Sequence, residues 1–564
     1  MNQKFSFTVA LASALMLTSC GSKLGQFSSD YFTTNPNPLE VVGQKVPATV
    51  TGRVPAKFFV KDATVTVTPY LVYNGQETAS QSFTFQGEKV KGNAPVISYD
   101  NGGTVTIPVS YNYVEAMNKS ELELAFSVEQ GSKQYVLPRV KVADGVVATA
   151  ALADAATATP AIGADAFQRV INEKYAADIK FLINQANVRA GELNTNAMNE
   201  LKNELANANA NKSREIKEIN IQSYASPDGA YDFNESLAQQ REKNTSAYLN
   251  NQLKKDKITE FGELTANFTA EDWEGFQKLV SQSDIQDKDL IISVLSMYKD
   301  PEQREREIRN LSSVFEQLAD QILPQLRYSR ITASIDVIGK SDAEINQAFD
   351  ANPTTSTLSV EEILYAATLT DDNARRMAIY KKATELYPND YRTWNNLGAA
   401  QYAAKDYTAA KSSFQKAAAL NSSADEPQVN LGLIALLEGD NTAASKYLGA
   451  ATGSSQASEA LGLYYLNQGE TANAVRAFGD TKSNNAALAQ ILNKDYSKAK
   501  STLAAVNNPD ATTYYLMAVL GARTNNESML NTNLKKAVSL DSSLATRAAS
   551  DLEFSNFNIS KALN

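Results

Sequence analysis

Apolar and polar positions alternate along the first third of the chain. The runs Ala63-Thr64-Val65-Thr66-Val67-Thr68-Pro69, Gly103-Thr104-Val105-Thr106-Ile107-Pro108-Val109 and Leu122-Glu123-Leu124-Ala125-Phe126 repeat every two residues. That period puts successive side chains on opposite faces of a strand. Asn74-Gly75 and Asn101-Gly102-Gly103 are turn signals between such runs. The pattern predicts a small antiparallel, sandwich-like β domain over residues 46–165. Its last part, Asp144 to Asp165, is rich in Ala and Thr and reads as a final strand plus linker. Residues 21–45 keep no period and read as a polar tether.

The middle of the chain mixes periods. Ile179 to Ile183 and Ile216 to Gln222 read as strands, and Asn196 to Asn207 as a helix. The second strand runs into the turn Ser223-Tyr224-Ala225-Ser226-Pro227-Asp228-Gly229, and a helix follows from Asn234 to about Leu253. Pro227 restricts the turn and Gly229 permits positive φ. Leu264 to Phe268 and Ile331 to Val337 complete an α/β domain over 170–345. Residues 269–327 interrupt it as a helical insertion. Its start, Thr269-Ala270-Glu271-Asp272-Trp273, has the acids of a helix first turn. The run from Asp300 to Glu307 reads as a solvated helix start.

From residue 355 to 555 the chain repeats itself at about 34 residues. Leu397-Gly398, Ala410, Phe414 and Ala417 return as Leu431-Gly432, Ala444, Leu448 and Ala451, and then as Leu461-Gly462, Ala474 and Phe478. Small residues at fixed positions let paired helices approach, and the large ones fill the space between them. About six helical hairpins are expected. This pattern is similar to tetratricopeptide repeats. The resemblance implies a cooperative superhelix whose concave face binds extended segments or helices of other proteins.

Composition narrows the chemistry. The 564 residues carry a net charge of -10, which argues against nucleic acid as a partner. With no histidine, Ser-His-Asp and Cys-His catalysis and histidine metal sites are excluded. The single cysteine, Cys20, excludes an intrachain disulfide and a thiolate zinc site. No catalytic residue, metal ligand or cofactor is assigned. A carboxylate-based wall hydrolase is the remaining enzymatic alternative.

Cys20 has a specific context. Lys4 precedes a short apolar stretch from Phe5 to Leu17, followed by Leu17-Thr18-Ser19-Cys20. Residues 1–20 resemble a bacterial lipoprotein signal peptide ending in a lipobox. The resemblance implies lipidation of Cys20 and anchoring in the outer membrane. The absence of an acidic run in Gly21-Ser22-Lys23 suggests a periplasm-facing protein.

The middle domain resembles the OmpA-like peptidoglycan-binding domain, in the form found in outer-membrane lipoproteins of the Bacteroidota. The matching residues are Tyr224, Gly229, Asn234, Leu237 and Arg241. In that family an Asp and an Arg clamp the diaminopimelate of the wall peptide. Arg241 falls at the family position. Ser226 stands where the acid belongs, and Asp228 lies two positions on. Ser226, Asp228, Asn234 and Arg241 are therefore the candidate wall-binding residues. The plain alternative for Arg241 is a surface cation paired with Glu235 or Glu242. The fold expected is thus multidomain: a β-sandwich-like domain, an OmpA-like α/β domain and an all-α repeat superhelix. The expected function is non-enzymatic, linking outer membrane to peptidoglycan and scaffolding protein partners. The alternative is an accessory subunit of an outer-membrane secretion or protein-assembly complex without wall binding.

Overall fold

The computed structural model describes residues 24–285, 287–310, 312–351, 357–451 and 453–563. Cys20 and the signal-peptide reading lie outside the described residues. The chain forms two compact units. Residues up to Ala164 join Thr370 onward, and Asp165 to Leu369 form the other. Among the described residues, no helix is long and apolar enough to cross a membrane.

The first unit begins as an antiparallel β structure. One sheet has the order β1 (Phe32–Asn35), β3 (Lys45–Val54), β8 (Gly103–Asn112). The other runs β10 (Lys133–Asp144), β9 (Ser120–Gln130), β4 (Ala63–Tyr73), β6 (Phe83–Gly87), β7 (Val96–Ile97), with β5 (Gln76–Ala79) on β4. A short parallel pair joins β2 (Leu39–Glu40) to β11 (Val146–Val147). The alternating residues of β3, β4, β8 and β9 meet in one core, with Val50, Val65, Ile107 and Leu124 fully buried. The tether expected over 21–45 gives way from Leu24 onward. Leu24 and Phe27 are buried in this core, and the Phe27 ring stacks 4.4 Å from that of Phe126. Residues 32–35 pair with β3. These few apolar side chains, too sparse to show a period, are enough to anchor the segment.

The repeat array follows in the same unit. The helix Asn373–Leu386 leads five complete hairpins. Their first helices are Tyr391–Ala403, Asp425–Leu437, Ser458–Asn467, Asn484–Leu492 and Ala511–Arg523. The small residues of the repeat are explained by direct approach. A Cβ on Gly398, Gly432 or Gly462 would lie 2.5–2.6 Å from Phe414, Leu448 or Phe478 of the paired helix. The second helix of three hairpins starts at an aspartate or asparagine whose side chain accepts the N–H of the first turn: Asp406 from Ala409, Asp440 from Ala443 and Asn526 from Met529. The helix Val360–Ala366, included in the array by its period, belongs to the other unit.

The second unit holds a four-stranded sheet in the order β12 (Val170–Lys180), β15 (Tyr328–Ile338), β13 (Arg214–Tyr224), β14 (Glu263–Thr269). The last pair is parallel and the others are antiparallel. Helices α1 (Asn196–Ala210) and α2 (Tyr231–Lys255) cover the sheet. Leu201, Leu205, Leu249 and Leu253 pack on Ile179, Ile219, Ile221 and Ile331. Thr195 caps α1 by accepting the Met198 N–H. The insertion folds around its own core, which includes Phe276, Val280, Ile291, Ile308 and Leu318. Its first helix starts at Trp273, capped by Asp272.

Candidate functional site

Among the described residues, two places that bear on function concentrate buried polar groups, one in each unit.

In the second unit the strand β13 delivers the turn that carries Ser226 and Asp228 to the start of α2. The residues singled out by sequence are close in space, but they do not form an open clamp. Arg241 is 1% exposed. Its Nε donates to Gln185 O at 3.0 Å, its Nη1 to Tyr224 O at 2.8 Å and its Nη2 to Leu182 O at 3.3 Å. The guanidinium carbon also lies 5.0 Å from the centre of the Phe181 ring. Burial pushes its pKa down to about 10, so it stays cationic at neutral pH. Neither Glu235 nor Glu242 is among these partners, which corrects the surface-cation alternative. The arginine is a buried brace that satisfies three backbone carbonyls.

Asp228 faces a different cation. Arg327 Nη2 donates to Asp228 Oδ2 at 2.8 Å, and Arg327 Nε to Ser226 Oγ at 3.0 Å. Ser226 in turn donates to Asp228 Oδ1 at 2.6 Å. Arg309 donates to the Asp228 carbonyl. Asn234 donates to Gly229 O at 3.0 Å and to Glu271 Oε1 at 2.9 Å, while Trp273 Nε1 donates to Glu271 Oε2 at 2.9 Å. The helical insertion thus closes over the turn and supplies its counter-charge. In the sequence Arg327 marks only the last residue of the insertion. The trace of its role was a lone arginine just before the last strand.

Burial raises the Glu271 pKa above its ordinary 4.5, despite the donors Asn234 and Trp273 that oppose the shift. Between 4.5 and the raised value, the folded carboxyl holds a proton that the unfolded one has lost. Stability contributed by Glu271 is therefore present below 4.5 and is lost as pH rises through the folded pKa. Glu271→Gln is expected to flatten the stability–pH profile of this unit across that window. An unchanged slope in denaturant titrations at several pH values would remove Glu271 as its origin.

The second place is the face of the repeat array lined by the first helices of the hairpins, and it is occupied. The alanine-rich linker runs along it from Ala148, whose carbonyl accepts from Arg547 Nη2 at 3.2 Å, to Ala164, whose carbonyl accepts from Arg392 Nη1 at 3.2 Å. It travels opposite to the order of the repeats. Side-chain amides hold its backbone. Asn485 Oδ1 accepts from Asp154 N at 3.0 Å while Nδ2 donates to Asp154 O at 2.9 Å. Asn430 does the same to Ala161 at 2.7 and 2.8 Å, and Asn396 to Gly163 at 2.8 and 2.9 Å. Gln456 grips Ile162 at 2.8 and 3.1 Å. Each closes a ring with one residue's N–H and C=O, so the linker, which turns at Ala155–Thr157, is satisfied without a neighbouring strand.

Further contacts fill the gaps. Glu459 accepts from Thr159 N at 2.7 Å, Tyr402 donates to Ala155 O, and Asn395 donates to Ala161 O at 2.9 Å. Ala158 and Ala161 are buried in the repeat core itself. The three gripping asparagines are equivalent in the repeat. Each stands fourteen positions before the buried alanine of its partner helix, Ala410, Ala444 or Ala499. The third hairpin has Ala460 there, and Gln456 and Glu459 reach the linker instead. Beside the linker lies a cleft of about 860 Å³, bordered by Gln44, Lys45, Asn112, Ala150, Ala153 and Leu463.

The free concave surface expected of the repeats is therefore filled by the chain's own segment. The architecture of residues 370–563 is tetratricopeptide-like.

Among solved structures, a tetratricopeptide repeat protein from Parabacteroides merdae is 12% identical, with a TM-score of 0.29, over 38% of this chain and 90% of its own. The pilF protein of Pseudomonas aeruginosa is 15% identical, with a TM-score of 0.28, over 38% and 99%. YrrB, described as a tetratricopeptide protein with an unusual peptide-binding site, is 19% identical, with a TM-score of 0.19, over 37% and 98%. No protein-family model matches the chain, and no curated protein does.

Proposed function

We propose that the protein is a non-enzymatic interaction scaffold, held at the periplasmic side of the outer membrane by lipid on Cys20. The observation that carries this reading is the groove. Four side-chain amides hold a polypeptide segment by its backbone, which is the chemistry of binding protein segments rather than of catalysis.

Of the two envelope roles, a docking subunit of an outer-membrane secretion or assembly complex is favoured over a peptidoglycan link. A wall carboxylate would have to draw Arg241 away from three carbonyls, and a wall ammonium would have to displace Arg327 from Asp228. The donors Ser226 and Asn234 are likewise engaged inside the protein. Binding of diaminopimelate at these residues is the second reading.

Three measurements separate the readings. Cys20→Ala is expected to move the protein from the membrane pellet to the soluble fraction; retention without lipid label would overturn the anchor. Purified protein is expected to stay in the supernatant when peptidoglycan sacculi are spun down. Sedimentation with sacculi that free diaminopimelate competes away would favour the wall-binding role. Crosslinked pull-down from native membranes is expected to recover defined envelope proteins, and recovery of none would sink the scaffold.

A further inference from the structure

We propose that residues 153–164 are an exchangeable resident ligand of the repeat groove. Its second occupant is an extended segment of a partner protein with small residues where Ala158, Ala161 and Gly163 lie. This deepens the scaffold reading and rests on it.

The groove reads backbone. The contacts to Asp154, Ala155, Thr159, Ala161, Ile162 and Gly163 all involve main-chain N–H or C=O groups. Any polypeptide that turns as Ala155–Thr157 do and then runs extended offers the same groups, except where proline removes a donor. Side chains are selected by size, apart from Thr157, whose Oγ1 accepts from Asn485 Nδ2 at 3.1 Å. Ala158 and Ala161 are buried, and a Cβ on Gly163 would lie 3.0 Å from the side chain of Arg392. Asp154, Thr157, Thr159 and Ile162 are exposed. The requirement on an occupant is therefore small-x-x-small-x-small in an extended conformation.

The resident segment fills little apolar space, since only two alanine methyls are buried. Covalent attachment adds to its hydrogen bonds an effective concentration on the order of millimolar. A partner gains where the resident segment leaves space. Ala153 borders the cleft of about 860 Å³, where Gln44, Lys45 and Asn112 offer polar groups. A longer acidic side chain at that position would enter the same cleft as Lys45, which gives a partner segment so equipped an ion-pairing partner that the alanine lacks.

The probe is a fluorescein-labelled peptide of residues 150–165 carrying Ala153→Glu, titrated into the full chain and read by anisotropy. Expelling the resident segment with Ala158→Asp and Ala161→Asp is expected to tighten peptide binding at least about tenfold. Adding Asn396→Ala and Asn430→Ala is expected to abolish it. Equal affinity with and without the linker substitutions, or binding indifferent to the asparagines, would overturn the proposal. Should the substituted chain lose its helical circular dichroism, the unaltered chain decides by hydrogen exchange. Saturating peptide is expected to speed exchange at Ala161 and Gly163 of the resident segment. Protection that stays as deep as in the repeat helices would make the segment a permanent strap and reject exchange. The scaffold reading fails separately: partners still captured by the Asn396→Ala, Asn430→Ala chain would lie on another face and sink only the exchange.

Discussion

Arg241→Ala is expected to destabilise the second unit by roughly 3–5 kcal/mol, because three buried carbonyls are left without a donor at about 1–3 kcal/mol each. The substitution removes three charge-assisted donors at once. The carbonyls of Leu182, Gln185 and Tyr224 lose their partner, and the space beneath α2 is left empty. Arg241→Lys should recover only part of the loss. An ammonium is a point donor and cannot span three carbonyls set around a planar fork. Trp273 reports on this unit, and the only other tryptophan is Trp394 of the repeats. Urea titration followed by fluorescence in a Trp394→Phe background therefore reads it selectively. A loss below about 1 kcal/mol would mean that the guanidinium is solvated and available, as a wall-binding arginine would be. The same titration guards the sacculus experiment, because an unfolded variant that fails to sediment says nothing about a binding site.

Asn430→Ala is expected to cost about 2–4 kcal/mol of stability in the first unit, since a buried N–H left without a partner costs about 1–3 kcal/mol and further bonds go with it. Ala161 N loses its acceptor, Ala161 O keeps only Asn395, and Asn395 Oδ1 loses the Asn430 donor at 3.0 Å. Asn430→Asp should be at least as damaging despite equal size. Its carboxylate still accepts from Ala161 N but faces two oxygens that had received hydrogen bonds. The loss should be local first. Amide exchange at Ala161 and Gly163 is expected to rise before the repeat helices melt, because their core of Phe414, Leu448 and Phe478 is untouched. A thermal midpoint and an exchange pattern like those of the wild type would show that the linker is held by attachment alone.

These two residues illustrate what a sequence displays. Arg241 was legible as a position, because strand, turn and helix succeed one another within a few dozen residues and set the register of α2. Its role was not legible, because its acceptors lie up to 59 residues away and its exposure depends on how loops close over it. Arg327 was passed over for the same reason, being 99 residues from Asp228. Asn396 and Asn430 stood in plain view, 34 positions apart beside the Leu-Gly of each repeat. An asparagine next to a helix core reads as an ordinary polar residue until something is seen to lie against it.

The sequence by itself determined the elements. Alternation, helical spacing and the 34-residue period are local consequences of burying one face, so they survive without knowledge of the rest of the chain. It also determined what chemistry is absent, since a chain without histidine cannot use one. Only the tertiary structure decided which polar groups satisfy which. The linker from Asp144 to Asp165 looks like filler by composition, yet its backbone is bonded to residues 228 to 399 positions away. Hydrogen-bond partners at such separations leave no pattern in the linker that names them, because each backbone group needs only one compatible side chain at one point. The groove and its occupant therefore became visible together, and only once the chain had folded.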